Sequence, residues 1–422
     1  MRKSLVLLGC TALAACGGGN GAGPTTVGGS ALTSSNPNAD PGPGTGVSFT
    51  TDTSDTGTTP TTGTATTFLS GLTQPKTFNV IGGFQSLSVL PGDANTTYTT
   101  TLSDGTVQTT VYPETETYKG DATTVQSPAG SITYDPRSGI FTLNITDTNA
   151  GISNSFAYQD PAHRTDPAFT QSGTPNLAGF NYLEAGSGTD ATTFFYQRPG
   201  ESTTYVSLAG YVHNVTPSGG TQTFERGAFV IGTPTVASQV PTSGTGSYTG
   251  GMLATMVDEP YQTSRQDTFF QWIAGQSKVD VNFGSGAVSV ALSGTVGPVT
   301  SQTDTLDHIP TITPTPVNPP ISAPPTIAAG STFTASGTGT ISSVFAGGFS
   351  GHFSSASFTN GATTTAVDFS APAPGSSTAG ASSIDGSFYG PNAVNVGGSF
   401  RITGGVPSQR VDILGAFTGA KH

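Results

Sequence analysis

At 422 residues the chain is long enough for two or three domains. Only 9% of residues are charged, Gly numbers 58 and Pro 30, and the formal net charge is -12. That balance disfavours nucleic acid and anionic membrane surfaces as partners, and a chain rich in Thr, Ser and Gly favours strands and turns over helices.

Residues 1–15 read as an export signal. Arg2 and Lys3 precede an apolar run from Ser4 to Ala12, shorter than the roughly 20 residues a membrane-spanning helix needs. The run stops at Leu13-Ala14-Ala15-Cys16, which resembles the bacterial lipobox and makes Cys16 the predicted lipidation site. Cleavage at Cys10 would leave an apolar core of only about five residues, below the usual range. With both cysteines spent in export, no disulfide is expected. Gly17 follows Cys16 where an Asp would signal retention at the inner membrane, so the expected location is the outer membrane, lipid-anchored and displayed on the cell surface. Residues 16–66 are Gly, Thr, Ser, Asn, Pro and Ala with almost no large apolar side chain, the composition of a disordered tether.

From Phe68-Leu69 onward, short apolar runs alternate with turn signals about every ten residues. An Asp104-Gly105 hairpin and a second hairpin joining Ile132-Thr133-Tyr134 to Ile140-Phe141-Thr142-Leu143 are antiparallel features. Further strands are expected at Phe194-Phe195-Tyr196, Tyr205–Leu208 and Gly227–Gly232, and a connector at Thr233–Pro241. The first domain is thus a β-rich, handle-like unit over 67–240. A second domain over 241–422 opens at Gly244 and contains the clearest period-two pattern, Val279–Phe283, a Gly284-Ser285-Gly286 turn, and Ala287–Leu292. One face of such a hairpin is buried and the other wet. Residues 300–330 form a Pro-rich insertion, and another hairpin turns at Asn360-Gly361. The last strands are Ile384–Tyr389, Gly398–Ile402 and Val411–Phe417. Many antiparallel strands with no covering helix point to closure, and an eight-stranded antiparallel β-barrel fits the second domain.

No catalytic constellation emerges, so the chain is expected not to be an enzyme, and no cofactor is implied. His163, His213, His308, His352 and His422 are scattered without metal-ligand spacing and read as solvated residues. Asp304, Asp307 and His308 read as a polar loop tip. Asp258 and Glu259 are adjacent and so face opposite ways on a strand, which reads as a solvated strand end. Candidate ligand contacts are the aromatics Phe269, Phe270 and Trp272, the last being the chain's single tryptophan, with Tyr261 and Arg265 beside them. Packing competes with binding for these aromatics.

A longer signature runs Gly386-Ser387-Phe388-Tyr389-Gly390-Pro391-Asn392-Ala393, then Gly397-Gly398-Ser399-Phe400, then Gly415-Ala416-Phe417-Thr418-Gly419-Ala420-Lys421. Phe388 and Tyr389 should face opposite sides of a strand, Gly390-Pro391 should end it, and Gly397-Gly398 should admit a close neighbour. The segment resembles the C-terminal barrel of the transferrin-binding-protein-B-like surface lipoproteins, in a single-lobe form. The resemblance implies a handle domain beside an eight-stranded barrel, an outer-membrane lipid anchor, and a surface-lipoprotein translocon. It also implies capture of an iron source, haem or a carrier protein alongside a TonB-dependent receptor. An envelope scaffold or adhesin using the same barrel is the alternative.

Overall fold

The computed structural model describes residues 67–90, 97–101, 107–111, 115–163, 173–217, 220–260, 269–300, 327–342, 347–370, 381–406 and 409–422. The signal, Cys16, the tether and most of the Pro-rich insertion lie outside them. The chain is all-β, and no α-helix occurs among the described residues.

The first domain runs through β1 (Lys76–Leu90), β2 (Thr97–Thr101), β3 (Val107–Val111), β4 (Thr115–Ala122), β5 (Gly130–Asp135), β6 (Ile140–Asp147), β7 (Ile152–Gln159), β8 (Phe180–Ser187), β9 (Asp190–Gln197), β10 (Val206–Val215) and β11 (Gln222–Gly232). Eight of these form one antiparallel sheet in the order β7-β6-β5-β1-β11-β10-β9-β8, with β4 continuing the line of β5 along β1. The hairpin expected around Asp104-Gly105 is β2 paired with β3, its turn lying outside the described residues. The sheet curls around an aromatic core: Phe141 lies 5.6 Å from Phe194, and Phe194 lies 6.2 Å from Phe229. The β-rich unit is therefore itself a nearly closed barrel. Among the described residues no ladder joins β7 to β8, and a Tyr158–Thr192 hydroxyl pair at 2.8 Å links β7 to β9 beside that seam.

The second domain comprises β12 (Thr245–Pro260), β13 (Phe269–Asn282), β14 (Ala287–Val299), β15 (Thr332–Ile341), β16 (Gly348–Asn360), β17 (Thr363–Ala366), β18 (Ala381–Tyr389), β19 (Asn395–Val406) and β20 (Gln409–Lys421). The β15–β16 pairing closes eight of them into an antiparallel barrel, with β17 a short outrigger on β16. The eight-stranded barrel read from the sequence is what forms. Its period-two hairpin, Val279–Leu292, puts Val279, Val281, Val288, Val290 and Leu292 inside, with Ser289 and Ala291 exposed.

Strands β10, β11, β19 and β20 break that alternation: both their faces are buried over most of their length. The two barrels lie side by side, and their facing walls form a second core. Ile81, Phe195, Leu208 and Val230 of the first barrel pack on Leu253, Trp272, Ala274 and Ala416 of the second.

Candidate functional site

Antiparallel order places the C-terminal ends of β12, β14, β16 and β19 at one end of the second barrel, together with the starts of β13, β15 and β20. The neighbouring end of the first barrel holds the end of β1 and the start of β11. A small apolar cluster joins the two ends, with Leu87, Val89 and Phe224 against Val257 and Phe270. The longest connections of the second barrel arise from this end. The start of β13, the described part of the predicted contact segment, is there as well. Tyr261 and Arg265 lie outside the described residues, as does the side chain of Phe269, whose backbone begins β13. Phe270 and Trp272 are buried between the barrels. Trp272 meets Phe195 edge-on at 5.7 Å and donates its indole N–H to the Gly173 carbonyl at 2.7 Å, so both polar and apolar parts are used in packing.

The signature residues do two jobs. Phe388 points into the second barrel and Tyr389 into the interface, as strand alternation requires. Phe400 and Phe417 fill the barrel interior, where Gly386 and Gly415 leave room for the Phe349 and Phe400 rings. At Gly398 a Cβ would stand 2.3 Å from the Asp385 carbonyl oxygen, so only glycine lets β18 and β19 approach there. Gly397 lies against Val206 of the first barrel.

The turn after Tyr389 fastens the barrels at the end opposite the long connections. Gly390 has φ +72 and sits under the Tyr205 ring, where a Cβ would fall 2.4 Å from a ring carbon. Its N–H donates to the Thr233 carbonyl (3.0 Å), and its carbonyl accepts from the Thr235 hydroxyl (2.6 Å). Pro391 starts a short 3-10 turn, with Asn392 and Ala393 at positive φ. Asn395 then accepts from the backbone N–H groups of Thr204 (3.1 Å) and Tyr205 (2.9 Å). The sequence reading gives this motif an architectural role within its own barrel. It also clasps the first barrel and the interdomain connector, a contact that only the tertiary structure creates.

Buried polar groups correct two expectations. His213 is not solvated. It is 5% exposed inside the first barrel, with Nδ1 2.8 Å from Glu225 Oε2 and Nε2 3.0 Å from Asp190 Oδ1. Alternation along β10 puts His213 on the inward face with Ala209 and Tyr211, and pairing with β11 brings Glu225 opposite. Burial alone would lower the His213 pKa, but the hydrogen bonds and charges of Glu225 and Asp190 outweigh it and raise it. Asp258 is not a solvated strand end either. It is fully buried beside β13 and β20, and desolvation raises its pKa well above the carboxylate range. His163, His352 and His422 are exposed, as expected, and His308, Asp304 and Asp307 lie outside the described residues.

Two further buried groups escaped sequence reading. Arg226, 1% exposed, faces the interface with its guanidinium 5.5 Å over the Phe270 ring, and burial lowers its pKa to about 9. Asp412 of β20 takes Arg401 in a two-pronged ion pair (3.0 and 2.6 Å) and accepts from Thr403 (2.9 Å) and from Tyr118 of the first barrel (2.8 Å). Asp412 is a single polar letter between Val411 and Ile413, and Arg226 follows Glu225 in a charged pair, but nothing local says which strand either meets. The chain Asp190–His213–Glu225 places a carboxylate against each imidazole nitrogen, so the ring itself presents no free nitrogen. Among the described residues no group of three His, Cys, Asp or Glu side chains is placed to hold a metal ion.

No protein-family model matches the chain, and no curated protein does. Solved structures align over most of it at low similarity. A double mutant of transferrin-binding protein B from Haemophilus parasuis Hp5 is 12% identical, with 82% of this chain and 76% of that one covered, at a TM-score of 0.29. Intact Ap-TbpB, with N and C lobes, is 12% identical over 83% of this chain and 78% of that one, also at 0.29. Isotype 1 transferrin-binding protein B from serogroup B Neisseria meningitidis is 12% identical over 83% and 77%, at 0.26. At these TM-scores the likeness decides nothing about activity.

Proposed function

We propose that this protein is a non-enzymatic, lipid-anchored lipoprotein of the outer-membrane surface. In this reading it captures a nutrient ligand, an iron source, haem or a carrier protein, with the end of the paired barrels that bears the long connections. The observation that carries the reading is that side chains fill both barrels. Phe84, Phe194 and Phe229 occupy the first and Phe353, Phe388, Phe400 and Phe417 the second, so a ligand must be met outside them. The lipobox at Cys16 and the signature from Gly386 to Lys421 support the anchor and the class of protein. A TonB-dependent receptor and a surface-lipoprotein translocon are the partners this role requires.

External protease on intact cells, compared with permeabilised cells, tests the location. Removal of the barrels from intact cells, followed by saturable binding of haem or an iron-loaded carrier protein, is the expected result. Protection in intact cells, or capture of envelope proteins alone, would overturn the reading in favour of an envelope scaffold.

A further inference from the structure

The first barrel is closed unevenly. Its sheet ends in β7 on one side and β8 on the other, and among the described residues no backbone ladder joins them. His213 lies where the strands nearest that seam converge. From β11, Glu225 faces its Nδ1 at 2.8 Å; from the first residue of β9, Asp190 faces its Nε2 at 3.0 Å; from β7, Asn154 lies 3.5 Å from Nδ1 and Phe156 meets the ring edge-on at 4.8 Å. Glu225 also accepts from Asn154 and, at 3.0 Å, from Tyr211. Ser86 of β1 is paired in register with Glu225, and the neighbouring Arg226, on the opposite face of β11, donates to the Glu225 carbonyl at 2.8 Å.

Carboxylates only accept, so an imidazole with one on each nitrogen is satisfied only when both nitrogens carry a proton. A neutral ring would turn a lone pair on one of them. The two carboxylates are not equivalent. The Glu225 side chain is 7% exposed and held by Tyr211 and Asn154, whereas that of Asp190 is 65% exposed and can turn to water. Asp190 is the partner that leaves.

We propose that His213 is an imidazolium in the folded protein and that its link to Asp190 is a pH-dependent latch, pinning the β8–β9 hairpin beside the open seam of the first barrel. The hairpin turns through Gly188 and Thr189; at this end its β9 arm is paired with β10 from Asp190, opposite Val215, and the Thr216 N–H donates to the Thr189 carbonyl at 2.7 Å. The sign follows from a raised folded pKa. The link is complete below the ordinary histidine value of 6.5, persists above it, and is lost as pH rises through the folded value. Loss releases the turn of the hairpin without unfolding the barrel, because β9 stays laddered to β10 and Leu183, Ala185, Ala191 and Phe194 keep both arms packed in the core. The inference does not depend on the protein binding a nutrient.

Nitrogen-15 NMR of the histidine rings in the full-length protein tests it, with His163, His352 and His422 as exposed references in the same sample. The expected result is a His213 doubly protonated at neutral pH, with a titration midpoint above those references. Asp190→Asn should lower that midpoint and, at one fixed pH, speed amide exchange at residues 187–190 while leaving the core strands unchanged. A singly protonated His213 at pH 6 would overturn the proposal. So would a midpoint or hairpin exchange unmoved by Asp190→Asn, a substitution at a side chain exposed enough for the variant to fold.

Discussion

Replacing Asp412 with Ala tests whether the two barrels form one cooperative unit. The Asp412 side chain is 2% exposed and accepts from Arg401 twice, from Thr403, and across the interface from Tyr118. Gln85 of the first barrel reinforces the joint, donating to the Asp412 backbone carbonyl at 2.8 Å and to the Tyr118 hydroxyl at 3.0 Å. Removing one partner of a buried ion pair costs about 3–5 kcal/mol, because the other charge is left uncompensated. Arg401 keeps 29% of its side chain in water and can rehydrate, which places Asp412→Ala at the low end, about 3 kcal/mol. Tyr118→Phe removes two hydrogen bonds, one to Asp412 and one from Gln85, and should cost about 1–2 kcal/mol. Since the hydroxyl acts largely through Asp412, the double variant should fall short of the sum by roughly 1 kcal/mol. Replacing both members of the pair, Arg401→Met with Asp412→Leu, should be milder than Asp412→Ala alone. Urea unfolding at pH 7, followed by tyrosine and tryptophan fluorescence, reads all four. Additivity of Tyr118→Phe and Asp412→Ala to within about 0.3–0.5 kcal/mol would refute the coupling across the interface.

Gly398→Ala should lose about 3 kcal/mol in the same assay, because the added carbon meets the backbone of Asp385 and Gly386 rather than a side chain that could move; a loss under about 1 kcal/mol would contradict that geometry. Trp272→Ala should cost about 3–5 kcal/mol by opening a cavity against Phe195 and freeing the Gly173 carbonyl, and an unchanged urea midpoint would show that Trp272 is not packed between the barrels. Burial raises the Asp385 carboxyl to about 6 from an ordinary 3.8, so its ionisation weakens the folded state as pH rises through that window. Asp385→Asn should therefore gain thermal stability relative to the native protein at pH 8 but not at pH 4, and an equal difference at both values would refute the assignment.

Much of the architecture is legible from local pattern. Alternation in Val279–Leu292 specifies a strand pair with one wet face, and Asn360-Gly361 and Asp135–Gly139 specify tight turns whose strands must be antiparallel. The doubly buried strands are legible only in part. Val206-Ser207-Leu208-Ala209-Gly210-Tyr211-Val212 reads as a strand, but its continuous apolar run does not say what covers the second face. The candidate contact aromatics share that ambiguity. Phe270 and Trp272 have the composition of a binding surface, and it is the wall of the other barrel that turns them into core.

By itself, the sequence determined the all-β class, the strand-turn rhythm, and the signature whose glycines and aromatics fit one barrel, because each is written in neighbouring residues and in backbone sterics. The tertiary structure alone decided that the first domain curls into a second barrel, and that Gly390 and Asn395 grip Thr233–Thr235 and Thr204-Tyr205. It likewise decided that His213 stands between Glu225 and Asp190, and Asp412 between Arg401 and Tyr118. These partners lie from 11 to 294 residues apart in the chain. A polar side chain in a strand acquires its chemistry from whichever strand the closing sheet sets opposite it, and no local spacing encodes that choice.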